Sequence, residues 1–314
     1  MVASYPASRA LTDSIGTVFV LAHKESTQQL ERTLVAEGLK CEVLRQVHQP
    51  EFQGFSRSYL CLLNHCQAWK RASQSTQPSL ILEADFVPVV GFGRLPLPYD
   101  SDPSNLGIAW LYACAAQVYS VSQTGHAEGF STAMVAYIVT PQSAKCLLEL
   151  AETITETIVP TTYSAWDSEV DRFLRDRHFK NYIPFRNYGE HGGRPNPEHR
   201  QHGLSPVHRA DVLYGQLAFM PLYAVKGSKS LQYLTYWHTR LQARLKGIGR
   251  LVLGKFLRPK VVKHSSVSLR LLGFAIRRQW AIGFTLPISI MVSSPVDCSK
   301  PVKMDHRRSQ SVSP

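Results

Sequence analysis

The chain has 314 residues, 44% of them hydrophobic and 18% charged, which permits a sizeable core and excludes wholesale disorder. Its net charge of +12 is unevenly placed: residues 1–225 carry 18 Lys and Arg against 21 Asp and Glu, whereas residues 226–290 carry 13 Lys and Arg and no acid. The basicity belongs to one segment, and because no nucleic-acid motif accompanies it, no nucleic-acid partner is expected.

Residues 15–21, Ile-Gly-Thr-Val-Phe-Val-Leu, are a β-branched and aromatic run that predicts a buried first strand. Over 26–38, Leu30, Leu34 and Val35 recur at helical spacing and Gly38 supplies a stop, while residues 40–47 alternate as a second strand. This β-α-β opening is that of an α/β protein. A helix is expected over 58–73 and a strand over 79–83, followed by strands at 107–112 and 133–140. Pro141 opens a helix to about residue 151, and another helix is expected over 166–177. Residues 188–211 are rich in Gly, Pro, His and Asn and predict a functional loop. In the basic segment, Leu241, Leu245, Ile248 and Val252 mark an amphipathic helix, suited by its charge to an anionic membrane surface.

Six cysteines are scattered with no Cys-x-x-Cys pair, which predicts reduced, packed thiols. The first residues lack the apolar stretch of a secretory signal, and the apolar run over 280–292 is interrupted by Pro287 and falls short of the ~18–20 residues of a membrane span. The expected location is cytoplasmic with peripheral membrane association.

The chemistry starts at the end of the 79–83 strand. Residues two apart on an extended strand share a side, so Glu83 and Asp85 are expected to converge, with Ala84 pointing away. Ligands of open α/β sheets bind beyond the carboxyl ends of strands, and two carboxylates there suit a hard divalent cation, Mn²⁺ or Mg²⁺. The plainer reading is two solvated acids at a strand end. Further along, Asp167 and Asp171 stand four apart and share a helix face, where like charges are mildly destabilising. Either would serve as a carboxylate base, or as a helix cap and a solvated face. The cluster Asn187 to Gly193, with Glu190 and His191, and the Asn196 to His199 stretch offer further polar groups for a metal shell or a phosphate. No cysteine lies nearby to suggest zinc.

The order Cys61-Leu62-Leu63-Asn64-His65, Ala68-Trp69-Lys70, then Leu80-Ile81-Leu82-Glu83-Ala84-Asp85 resembles glycosyltransferase family 25, the lipopolysaccharide-type galactosyltransferases. The likeness is specific over residues 56–89 and weaker over 15–225. Asn64 stands where the family has Ser, and Ala84 replaces the middle acid of its Glu-Asp-Asp motif. The resemblance implies a GT-A fold, an α/β nucleotide-sugar-binding sheet with flanking helices, plus the basic helical extension. It implies inverting transfer of a hexose, often galactose, from a UDP-sugar to a glycan or lipid-linked acceptor in cell-surface polysaccharide assembly. Glu83 and Asp85 would hold the metal, with Asn64, His65, Glu190 and His191 beside the donor. Asp171, ahead of Phe173-Leu174, matches the family's acidic position best, with Asp167 in reserve. The implied organisation is a flexible 1–14, a catalytic domain over 15–225, a helical extension over 226–290 and a disordered tail over 291–314. Ala84 and Asn64 also fit a rival, a catalytically degenerate carbohydrate-binding or scaffolding protein of the same fold.

Overall fold

The computed structural model of the chain describes residues 9–280 apart from positions 48, 101, 204 and 206. The expected tail, the last ten residues of the basic extension and Cys298 lie outside the described residues, as do residues 1–8 of the expected flexible start. Residues 10–14 pack on the body, with Leu11 fully buried and Ala10 bridged to Pro96.

An eight-stranded mixed sheet forms the centre. Strand β1 (Thr17–Ala22), helix α1 (Gln28–Ala36) and strand β2 (Cys41–Arg45) make the expected β-α-β opening of the chain, with β1 and β2 parallel. Gly38 ends α1 with φ +81°, a backbone state that glycine adopts without strain. Helix α2 (Arg57–Ser73) starts at Ser56, whose hydroxyl accepts from the Tyr59 amide at 3.1 Å. Next come β3 (Ser79–Glu83), β4 (Phe86–Pro88), β5 (Leu106–Trp110), the hairpin β6 (Gln117–Val121) and β7 (Ala127–Phe130), and β8 (Ala136–Val139). Helices α3 (Pro141–Thr157) and α4 (Val170–Asp176) precede β9 (Lys180–Ile183), β10 (Gly189–His191) and α5 (Pro197–Gln201). The sheet order is β2-β1-β3-β8-β5-β9-β7-β6, and β10 pairs with β4 in a separate two-stranded ribbon.

Strand periodicity assigns the two faces of the sheet. Phe19, Leu21, Ile81, Trp110, Tyr137 and Val139 join Trp69 of α2 and Leu147 of α3 on one side. Val18, Val20, Leu80, Leu82 and Ile138 join Leu30 and Leu34 of α1 and Phe92 on the other. The parallel pairings of β1 with β2, β1 with β3 and β5 with β9, together with antiparallel β8 between β3 and β5, point β1, β2, β3, β5 and β9 the same way. Their carboxyl ends therefore share one edge.

Several elements differ from the sequence expectation. The helix expected over 166–177 is divided into a short 3-10 turn, Trp166–Ser168, and α4. The loop over 188–211 contains β10 and α5, and the strands β6, β7 and β9 lie in stretches without a marked apolar run.

The basic segment folds as α6 (Lys229–Val252), α7 (Pro259–His264) and α8 (Ser268–Trp280). Phe256, Leu257, Leu271 and Phe274 belong to the main core, so these helices are integral to the body. The inner stripe of α6 is made close-fitting by Ala243 and Gly247: a Cβ at Gly247 would sit 2.6 Å from that of Asp211. The stripe half a turn away leaves Leu234, Trp237, Leu241, Leu245 and Val252 exposed. Among the described residues, no helix is long and apolar enough to cross a membrane.

Candidate functional site

Glu83 is the last residue of β3 and continues the face of Ile81, toward α2. There it meets His65, whose Nε2 lies 3.4 Å from Glu83 Oε1, and Cys61, whose thiol donates to the same oxygen at 3.8 Å. His65 and Trp69 are one turn apart on α2, and both reach Tyr137 on β8. Trp69 Nε1 donates to the Tyr137 hydroxyl at 2.9 Å, and that hydroxyl is 2.8 Å from His65 Nδ1. With the tyrosine donating to Nδ1, the Nε2 proton is left for Glu83, and the chain Trp69, Tyr137, His65, Glu83 runs in one direction. His65 is fully buried and therefore positions Glu83.

Asp85 reaches the same place by a different route from the one alternation suggests. The strand ends at Glu83, Ala84 and Asp85 form a turn, and the chain re-enters a strand at Phe86. The Ala84 amide donates to Leu21 O at 2.8 Å, which fixes the turn to the end of β1. Ribbon β4–β10 then brings in the third member: His191 is registered opposite Phe86, the residue that follows Asp85. His191 Nε2 is 3.0 Å from Asp85 Oδ2. One ligand atom from each of Glu83, Asp85 and His191 lies within 4.8 Å of the others.

Charge and burial work against each other in this cluster. Burial lowers the affinity of His191 for a proton, yet the negative charge of Asp85, its hydrogen bond and the charge of Glu83 outweigh that and raise its pKa to about 9. Burial pushes Asp85 up, while the charge and hydrogen bond of His191 and the charge of Arg209 push harder and leave it below the usual carboxylate range. Arg209 also clamps the loop, donating to His191 O and Gly193 O at 2.8 Å each. A Cβ at Gly193 would stand 2.1 Å from Asp85 Oδ2, so only glycine permits this close approach.

The donor set fits a hard divalent cation. Asp85 Oδ1 and His191 Nδ1 are buried with no partner among the described residues, so the cluster has ligand capacity left over. Two carboxylates and an imidazole match Mn²⁺ or Mg²⁺. The second possible group, Cys61, His65 and Glu83, is a poorer match, because the thiol prefers softer metals and the imidazole is already engaged.

The remaining predicted residues divide clearly. Asn64 flanks His65, and its Oδ1 is buried without a partner among the described residues. Asp167 lies close enough for its charge to be felt at Cys61 and at Cys114, in the loop after β5. Burial, with a smaller contribution from the charge of Glu83, outweighs two backbone hydrogen bonds and pushes its carboxyl up to about 6. Asp171, the candidate preferred from sequence, is buried and fully engaged: Tyr119 Oη donates at 3.2 Å, Arg175 Nε at 3.0 Å and Asn181 Nδ2 at 2.9 Å. Its oxygens hold α4 to β6 and β9. Glu190 is likewise a fastening, receiving the Ala210 amide at 2.9 Å and paired with Arg240 of α6. Sequence reasoning passed over Tyr137 and Arg209, neither of which carried a local signal. Gly193 lay inside the polar cluster it singled out, as half of a Gly-Gly pair beside a histidine.

No protein-family profile matches the chain, and no curated protein matches it. Among solved structures, the chain is similar to a glycosyltransferase involved in the glycosylation of the major capsid of PBCV-1, at 13% identity over 54% of this chain and 82% of that one, with a TM-score of 0.37. It is also similar to a mutant Drosophila galactosyltransferase in complex with manganese, UDP-Gal and xylobiose, at 14% identity over 54% of this chain and 65% of that one, with a TM-score of 0.32.

Proposed function

We propose that the protein is a metal-dependent, inverting glycosyltransferase of GT-A type and of the family 25 kind, moving a hexose from a nucleotide sugar to an acceptor hydroxyl. The observation that carries this reading is the convergence of Glu83, Asp85 and His191, with unsatisfied ligand atoms, at the carboxyl edge of the parallel strands. Those three residues would hold the cation, Mn²⁺ or Mg²⁺, which when bound neutralises charge developing on the departing diphosphate. His65, Tyr137 and Trp69 hold Glu83 in place, and Arg209 holds the loop that carries His191. The acceptor oxygen attacks the anomeric carbon, the bond from that carbon to the phosphate oxygen breaks, and the acceptor proton passes to a carboxylate. Asp167 suits that last role, because a carboxyl raised to about 6 is ionised at neutral pH and more basic than an ordinary one. Asp171 is saturated by three donors and is better read as structural.

The test is Mn²⁺-dependent UDP-hexose hydrolysis in the wild type and in Glu83→Ala, Asp85→Ala and His191→Ala. Loss of a carboxylate ligand should lower the rate by ~100-fold or more, in the range typical of an electrostatic catalytic group. Equal rates in all four proteins would remove the cation site. A degenerate carbohydrate-binding protein would instead bind glycan by calorimetry and show no nucleotide-sugar affinity with Mn²⁺ present.

A peripheral place on an anionic membrane, in cell-surface polysaccharide or lipopolysaccharide assembly, belongs to the same reading. It is favoured by the exposed stripe Leu234, Trp237, Leu241, Leu245 and Val252, flanked along the segment by exposed Lys226, Lys229, Lys255, Arg258, Lys260 and Lys263. Each basic residue near such a surface contributes about 1 kcal/mol. The arrangement differs from a helix with one free cationic face, since Arg240, Arg244 and Arg278 point inward to Glu190, Gln279 and Asp211. Sedimentation with phosphatidylglycerol vesicles should fall several-fold in the double variant Leu241→Glu, Leu245→Glu. Undiminished sedimentation would take α6 off the membrane.

A further inference from the structure

A cavity of about 280 Å³ lies beneath the inner stripe of α6. Its walls include Cys114 in the loop after β5, His208 and Arg209, and Lys246, Gly247 and Arg250 of α6. Because β5 and β3 run parallel with β8 between them, the cavity opens at the same sheet edge as the cation cluster, two strands across. Arg209 is common to both: it lines the cavity and donates to the carbonyls of His191 and Gly193.

The cavity is cationic. Arg209, Lys246 and Arg250 supply positive charge, and the one lining acid, Asp211, is already neutralised. Its carboxylate receives both terminal nitrogens of Arg278 as well as Gln279 Nε2 at 3.1 Å and Asn187 Nδ2 at 3.1 Å. His208 adds no charge at neutral pH, since burial and then neighbouring His199 push it down to about 4. Two lining guanidinium groups, those of Arg209 and Arg278, each keep a buried Nε with no acceptor among the described residues. Buried N–H donors lacking an acceptor are uncommon in folded proteins, and an anion would satisfy them. The volume falls just below the ~300–1,000 Å³ of small-molecule pockets, too small for a whole nucleotide sugar and enough for a phosphorylated fragment.

We propose that this cavity binds a phosphate group carried by the acceptor, so that the enzyme selects a phosphorylated acceptor. The word acceptor rests on the transferase reading, whereas anion binding in the cavity does not. A phosphate carried by a sugar and one carried by a lipid would be recognised by the same guanidinium and ammonium groups. The opposite stripe of α6 is the exposed apolar one, so a single helix would face a membrane on one side and the phosphate on the other.

The experiment is calorimetric titration of the full-length protein with hexose 6-phosphate, the parent hexose and octyl phosphate. Both phosphates should bind at least tenfold more tightly than the hexose, with affinity falling as salt rises. Whichever of the two binds more tightly identifies the carrier. Lys246→Glu, at an exposed position that disturbs no internal hydrogen bond, should weaken phosphate binding at least tenfold while leaving the unfolding midpoint in place, and Arg250→Gln should weaken it as well. Glu83→Ala should bind phosphate like the wild type, which separates this site from the cation cluster: loss of donor hydrolysis with retained phosphate binding tests one reading without touching the other. Equal affinity for hexose and hexose phosphate, unchanged affinity in Lys246→Glu, or one-for-one displacement of the phosphate by UDP with Mn²⁺ would each overturn the proposal.

Discussion

Two regions of the molecule draw carboxylates inward from solvent, and they treat them in opposite ways. At the seam with the C-terminal helices, Asp211 is gripped by Arg278, Gln279 and Asn187, and Glu190 by Arg240 and the Ala210 amide. Both carboxylates there have permanent partners from distant parts of the chain. At the end of β3, Glu83 and Asp85 are drawn to within reach of each other, Asp85 keeps an oxygen with no partner among the described residues, and the local cation is a protonated histidine. A paired buried acid fastens elements together, whereas a crowded and partly unpaired one is held ready for something that comes from outside.

The sharpest way to break this contrast is at the fastened end. Arg278 is only 1% exposed, and Arg278→Ala would leave the half-buried Asp211 without its counter-charge. Removing one partner of such a pair typically costs about 3–5 kcal/mol. Urea denaturation should show a loss of that order, with α8 detaching and Phe274 leaving the core. The double variant Arg278→Met, Asp211→Asn should recover part of it, because no isolated charge then remains.

The β3 end should respond in the opposite sense, losing ligand affinity before it loses stability. Gly193→Ala places a methyl where Asp85 Oδ2 and His191 Nε2 approach each other, at 2.1 and 3.0 Å. The loop must shift, and the stabilisation that Mn²⁺ gives the wild type should disappear. At a hundredfold excess over the dissociation constant, that stabilisation is about 2.7 kcal/mol. Gly203→Ala, where nothing lies within 4 Å although φ is +70°, is the control for backbone strain alone. If both variants keep the full manganese-induced rise in Tm, the three-residue cluster is not a cation site.

How much of this was legible in the sequence follows from how far apart the interacting residues lie. The strand Ser79–Glu83 matches its expected bounds because an apolar run between a proline and two acids is a local signal. The meeting of Glu83 and Asp85 was foreseen, but alternation along one strand is not its cause; a turn tied to β1 and a ribbon from residue 191 complete it. Arg240 with Glu190 and Arg278 with Asp211 bridge 50 and 67 positions, and periodicity carries no information at that range. The amphipathic pattern of α6 was equally plain, and the leucines that mark its apolar face are exposed, as a membrane-facing helix requires. What that pattern did not show is the opposite stripe, where the small residues Ala243 and Gly247 pack on the body. Asp171 and Asp167 looked alike as neighbours on a helix; a broken helix separates them, as do three donors to Asp171, of which Tyr119 comes from 52 positions away.

The smallest effect concerns that pair, and it is read from pH. Burial raises the Asp167 carboxyl from 3.8 to about 6, so the folded chain holds this proton more tightly than the unfolded one does. Its contribution to stability is therefore complete below about pH 4 and is lost as pH rises through about 6. Asp167→Asn cannot titrate and lacks that loss. The variant should gain on the wild type by about 2 kcal/mol between pH 4 and pH 7, with most of the change between pH 4 and pH 6. The same substitution should lower hexose transfer while sparing Mn²⁺ binding, and the wild-type rate should climb through pH 6 as the base ionises. Stabilisation at pH 7 together with loss of transfer is the signature of a carboxylate kept ionised against its surroundings for chemistry. Asp171→Asn should instead destabilise, because Arg175 loses its charged partner. A variant pair in which Asp167→Asn destabilises at neutral pH and Asp171→Asn abolishes transfer without unfolding would reverse the two assignments.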